Sequence, residues 1–162
     1  MNYLGLDRKE VAKTVDRLND LLANYHIYYQ NLRNFHWNVD GENFFDLHEK
    51  FEELYDDARE KIDEIAERVV TLRLRPVSKL SSYLDRAAVK ESDILEDEFE
   101  MVETILENHR IIIDNMRGII RSADKVEDEG TIDMIGGFLA DIEKSSWMLD
   151  AWKAKKEANV TA

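Results

Sequence analysis

Two of the four histidines in this chain, His36 and His48, stand on either side of one short turn in the stretch FHWNVDGENFFDLHEKFEELYDD. Glu52 follows the second histidine by one helical turn, and Asp63 and Glu67 make a further pair at the same four-residue spacing. Imidazole and carboxylate together are the donors that hold iron, manganese or zinc. The chain has no cysteine, which excludes a thiolate metal site, a disulfide framework and a cysteine nucleophile.

The elements that carry these residues read as helices. Val11, Val15, Leu18, Leu22, Tyr25, Tyr29 and Leu32 recur at alternating steps of four and three, the period of an amphipathic helix. That stripe ends near His36, and Asp40-Gly41 signals a turn. A second helix is expected from about Phe44 to about Leu72, with Phe51, Leu54, Ala58, Ile62, Ile65, Val69 and Leu72 on one face. Pro76 breaks the pattern, and Ser78 to Arg86 reads as a short helix in a long connection. The capping types Ser92-Asp93 predict the start of a third long helix, striped by Leu95, Phe99, Val102, Leu106, His109, Ile113, Met116 and Ile120. The acidic run from Ser122 to Gly130 reads as a loop. A last helix carries Ile132, Ile135, Leu139, Ile142, Ser146 and Leu149, and the polar tail from about Lys153 is expected to fray. The fold class is therefore all-α: a four-helix bundle with a short extra helix in its long middle connection, forming one domain over 1–162.

On the second helix, His48, Glu52, Asp63 and Glu67 fall within about 100° of one another, beside the apolar stripe. Along a straight helix His48 and Asp63 are ~22 Å apart. A metal–ligand bond spans only about 2 Å, so the two ends cannot bind one ion within a chain. Two copies of the helix, antiparallel across a two-fold axis, bring the histidine end of one to the carboxylate end of the other. The competing reading is a solvated acidic face, with Arg59 pairing with Glu52 or Asp63 in an ordinary interfacial salt bridge.

His36-Trp37-Asn38-Val39, Gly41, Phe44, Leu47-His48, Phe51, Tyr55 and Asp63-Glu64-Ile65-Ala66-Glu67-Arg68 resemble the Dps family, the mini-ferritins named as DNA-binding proteins from starved cells. The resemblance runs from the first helix to Trp147. It implies a ferritin-like bundle, assembly into a hollow homododecamer, and Fe(II) oxidation with hydrogen peroxide in preference to oxygen. The ferric product would be stored as mineral, protecting against oxidative damage. Carried over by position, it implies that His36 and His48 of one chain share a ferroxidase site with Asp63 and Glu67 of its partner. Glu52 stands where many members have Asp, which puts the second metal position in question. Zinc or manganese is a possible resting occupant. Trp37 would stand beside the site, either exchanging an electron with iron or simply packing at a helix end. The larger ferritins place Glu-x-x-His motifs inside one bundle. Here the residues three before the histidines are Ala23, Arg33, Phe45 and Leu106, so that intrachain ligand set is absent.

The resemblance further implies an acid-lined cation pore at DKVEDEGTIDM, with Asp128 and Asp133 as first candidates and Asp124 and Glu129 behind them. Acids before a helix are also what its macrodipole favours. His109 lies in its helix's stripe and His26 has no matched carboxylate, so neither is assigned to metal. The formal net charge of −13 attracts cations and repels phosphates, so DNA binding is expected to be absent or weak. A non-enzymatic DNA-condensing or scaffold protein on the same fold is the alternative function. No secretory leader or membrane span is read in the sequence, and the expected location is the cytoplasm.

Overall fold

The computed structural model describes residues 3–160, and the side chains of 3–154. Five helices make up the fold: α1 (Arg8–Asn38), α2 (Phe44–Thr71), α3 (Leu80–Arg86), α4 (Glu98–Asp124) and α5 (Glu129–Val160). No strand occurs among the described residues. None of these helices is long and apolar enough to cross a membrane.

Cross-helix hydrogen bonds give the directions. Thr14 meets Ser122, Asn24 meets Asn115, and Asn31 meets Asn108, so α4 runs antiparallel to α1. His109 meets Ser146 and Arg117 meets Glu143, so α5 runs antiparallel to α4. The turn at Gly41, where φ is +96° and a side chain would be strained, reverses the chain between α1 and α2. The long link carrying α3 then returns it, so α2 and α4 run parallel.

Burial follows the expected stripes in α1 and α2, with Val11, Leu18, Leu22, Leu32, Phe51, Ala58, Ile65 and Val69 inaccessible or nearly so. Each such aliphatic or aromatic side chain is worth roughly 1.5–3 kcal/mol. In α4 the buried face is offset from the expected one. Met101, Val102, Ile105, Ile112, Met116 and Ile119 are inside, while Leu106, Ile113 and Ile120 are half-buried.

Three boundaries depart from expectation. Helix α4 starts six residues later than Ser92, capped by the Asp97 carboxylate, which accepts the Phe99 N–H at 2.7 Å. Ser92 and Asp93 are instead held by α1. The Ser92 N–H donates to Asn31 Oδ1 at 2.9 Å, and the Asn34 amide donates to the Ser92 and Asp93 carbonyls. The acidic loop shrinks to the few residues between Asp124 and Glu129. The tail expected to fray after Trp152 continues as helix to Val160, while Thr161 and Ala162 lie outside the described residues.

Asparagines of α1 fasten the whole middle link. Asn19 Oδ1 accepts the Val77 N–H at 2.9 Å, and Asn24 Oδ1 accepts the Ala88 and Val89 N–H groups at 2.8 and 3.1 Å. The Asn31 amide donates to the Lys90 carbonyl at 2.9 Å. On either side of α3 the link has no regular structure, and there these carboxamides take up its backbone groups at Val77, Ala88, Val89 and Lys90.

At the other end of the bundle, Asp128 is only 2% exposed. Its carboxylate caps α5 through the Thr131 N–H (3.1 Å) and hydroxyl (2.6 Å), and it takes the Arg68 guanidinium of α2 at 2.5 Å. The pore expectation for Asp128 is therefore corrected: its charge is spent inside the protomer. Asp133 is exposed, as are Asp124 and Glu129. Asp128→Ala removes a cap and leaves Arg68 unpaired, and is expected to cost about 3 kcal/mol in urea unfolding. A loss below ~1 kcal/mol would mean the pair contributes little.

Candidate metal centre

His36 sits in the last turn of α1 and His48 in the second turn of α2, so the tight turn brings them face to face. Their rings stack with centroids 3.8 Å apart and planes 16° from parallel. Each ring bonds to the other residue's backbone: His36 Nδ1 to the His48 carbonyl at 2.7 Å, and His48 Nδ1 to the His36 carbonyl at 2.8 Å. A carbonyl only accepts, so both Nδ1 atoms carry hydrogen and donate. Both Nε2 atoms are left as lone-pair donors with fixed aim, as in the supporting contacts that orient metal-binding histidines.

Aromatic neighbours close the pair in. Phe44, four residues before His48, stacks on it at 4.8 Å, and Tyr55 meets His36 edge-on at 5.2 Å. The Tyr55 hydroxyl is held above its ordinary range by desolvation first, then by the nearby charges of Glu52 and Asp56. The sequence reading used Phe44 and Tyr55 only as positions of the family resemblance and gave neither a part in the site. Their signal was the four-residue step from Phe44 to His48 and the three-residue step from Glu52 to Tyr55. The turn is pinned from outside as well, since the Asn43 amide donates to Glu98 Oε1 at 2.6 Å.

Asp63 and Glu67 are exposed on α2, far along the helix from His48. Helix α2 is continuous from Phe44 to Thr71, so the ~22 Å separation stands. Among the described residues, no group of three His, Asp or Glu side chains gathers around one point. One protomer therefore brings together His36 and His48, but not Asp63 or Glu67. Arg59 pairs with Asp56 at 3.7 Å, and neither Glu52 nor Asp63 forms an ion pair among the described residues.

Trp37 adjoins His36 in sequence but is 58% exposed, with the Arg33 guanidinium 4.8 Å above its ring. His26 stacks on Tyr83 of α3 at 3.9 Å. His109 is 1% exposed in the bundle centre. The Ser146 hydroxyl donates to the Ile142 carbonyl at 2.7 Å, so it accepts from His109 Nδ1 at 2.7 Å, and Tyr28 donates to His109 Nε2 at 2.8 Å. Both ring nitrogens are occupied, which removes His109 from any ligand set.

Sequence reasoning also missed Lys61, buried at 4% exposure between α2 and α5. Its ammonium donates to both oxygens of Asp57 at 2.7 Å and to Asp141 at 3.2 Å, and lies 5.3 Å from the Phe138 ring centre.

A ferritin-like domain model matches residues 15–157. The DNA protection during starvation protein of Porphyromonas gingivalis is 42% identical over 155 residues, 96% of this chain and 98% of that one. A crystal structure of a Dps protein from Vibrio cholerae O1, described as one of the ferritin-like diiron-carboxylate proteins, superposes with a TM-score of 0.91 at 41% identity, covering 94% and 96% of the two chains. A Dps protein from Bacillus brevis gives 0.86 at 39% identity, covering 89% and 97%. The fold is the ferritin-like four-helix bundle. Within that class, the chain belongs to the Dps family.

Proposed function

We propose that this chain is a mini-ferritin ferroxidase. It oxidises Fe(II), with hydrogen peroxide preferred over oxygen, at sites shared by two subunits. It stores the Fe(III) as mineral inside a hollow homododecamer in the cytoplasm. The observation that carries this reading is the reciprocal His36–His48 clasp. It presents two free Nε2 atoms at one end of α2 while the unengaged carboxylates Asp63 and Glu67 stand at the other end. An isologous, antiparallel contact between two α2 helices unites the halves twice per dimer. Vibrio cholerae Dps, described among diiron-carboxylate proteins, supports iron as the metal.

In this reading Fe(II) is substrate. Neutral imidazoles and carboxylates bind it, and the carboxylates favour the harder Fe(III) product. Two Fe(II) ions each give one electron to one hydrogen peroxide. With two protons taken up, two water molecules and two Fe(III) result, and no hydroxyl radical is released. Glu52 reaches a second metal position from beside Tyr55. Zinc or manganese competes for the same nitrogen and oxygen donors. Asp133, with Asp124 and Glu129, lines the cation entrance, and Trp37 supplies an electron when only one ferrous ion is bound. At −13 per chain the particle repels DNA, which sets the DNA-condensing or scaffold alternative behind the ferroxidase.

Stopped-flow mixing of the anaerobic Fe(II)-loaded protein with hydrogen peroxide tests the reading. Fast ferric absorbance at two irons consumed per peroxide is expected. Oxidation no faster than in buffer, together with a DNA gel shift at moderate salt, would put the scaffold reading first.

A further inference from the structure

Helix α4 carries a glycine, Gly118, in its interior, where glycine is disfavoured. The reason is a guanidinium. A Cβ at Gly118 would sit 2.9 Å from Arg17 Nη1 and 3.9 Å from Arg121 Nη2. The Arg17 head therefore lies directly on the α4 backbone, and the Arg121 head reaches toward the same point. Arg59, Arg68, Arg86, Arg110 and Arg117 are each held by a carboxylate, whereas Arg17 and Arg121 pair with none among the described residues. Two like charges converge here, in a chain with 35 acids to 22 bases.

The two heads open onto a cleft of ≈ 440 Å³ between α1 and α4, which Arg86 and Arg110 also line, each already paired with a carboxylate. Of the two carboxylates that line the cleft, Asp20 is engaged by Arg86 at 2.8 Å, and neither Asp20 nor Asp114 forms an ion pair with Arg17 or Arg121 among the described residues. The floor is fixed: Asn24 donates to Asn115 Oδ1 at 3.0 Å, and Asn115 donates to the Arg17 carbonyl at 3.4 Å. Guanidinium forks match the spacing of tetrahedral oxyanions and bind them through paired N–H bonds.

The geometry points to an oxyanion site on this face, formed by Arg17 and Arg121 over Gly118 and taking a phosphate-type dianion. The surrounding negative field disfavours a long polyanion more than a small ion, so inorganic phosphate is the expected ligand. The site is independent of the iron reading.

The test titrates the intact assembled protein with inorganic phosphate, followed by calorimetry and ³¹P line width, with a short oligonucleotide titrated in parallel. Saturable phosphate binding is expected. Gly118→Ala, which keeps every charge but displaces the Arg17 head, is expected to weaken it at least tenfold. Arg121→Gln, on the exposed rim, is expected to do the same with the helix content unchanged. Oligonucleotide binding without phosphate binding, lost in the same two variants, would assign the oxyanion to a nucleic-acid backbone. No binding of either probe, or binding that both variants leave intact, overturns the site.

Discussion

Chains carrying His48→Ala alone and chains carrying Asp63→Ala alone are each expected to lose fast Fe(II) oxidation, by on the order of 100-fold or more. Both positions are solvent-facing or half-buried on a helix whose core lies elsewhere, so the fold and the assembly are expected to survive. The decisive result comes from coexpressing the two. In a mixed dimer one shared site has lost both its histidine and its aspartate, but the other has kept both. With random pairing, about a quarter of all sites are intact. A site confined to one chain predicts no recovery, because every chain carries one lesion. Recovery to roughly a quarter of wild-type amplitude supports the shared site. No recovery, with size-exclusion and mass spectrometry showing mixed particles, excludes it.

The second large effect is on acid stability and comes from His109. Burial, and then the Lys61 charge, lowers this imidazole from 6.5 to about 3. Below its unfolded value the unfolded chain binds a proton that the folded chain refuses, so stability falls as the pH falls. This contribution is complete above about pH 6.5 and is lost progressively down to about pH 3. Between about pH 6 and pH 4 the loss is on the order of 3 kcal/mol. His109→Gln keeps a polar side chain but cannot titrate, and is expected to flatten the urea midpoint over that range. It also costs stability at neutral pH, by mispairing Tyr28 and Ser146. An unchanged slope in the variant would show that the acid sensitivity lies in other groups.

Much of this fold was legible because burial in α1 and α2 is one-sided and periodic. Helix α4 was harder. Ser92 and Asp93 have the composition of a cap, but their backbone is bonded to asparagines about sixty residues away, partners no local pattern reveals. The apolar positions of α4 are so numerous that Leu106 and Ile113 read as well as Ile105 and Ile112, and only packing distinguished the two faces. Asp128 was misassigned for a similar reason. In sequence it is one acid among several, and its burial depends on Arg68 arriving from another helix. At the candidate site the histidine pair and the axial distance along α2 were readable from spacing alone. The mutual bonding of His36 and His48 was not, since it depends on two backbone carbonyls turned toward rings twelve residues apart.

The asparagines of α1 have a kinetic consequence. The irregular parts of the link between α2 and α4, on either side of α3, would ordinarily exchange their amide hydrogens within moments, having no ladder of their own. Yet the Val77, Ala88, Val89 and Ser92 N–H groups are each donated to a carboxamide rooted in α1. Those hydrogens can leave only when α1 itself lets go. In deuterated water these four amides should therefore persist about as long as those of the first helix, and a loop would carry the exchange signature of the bundle's centre.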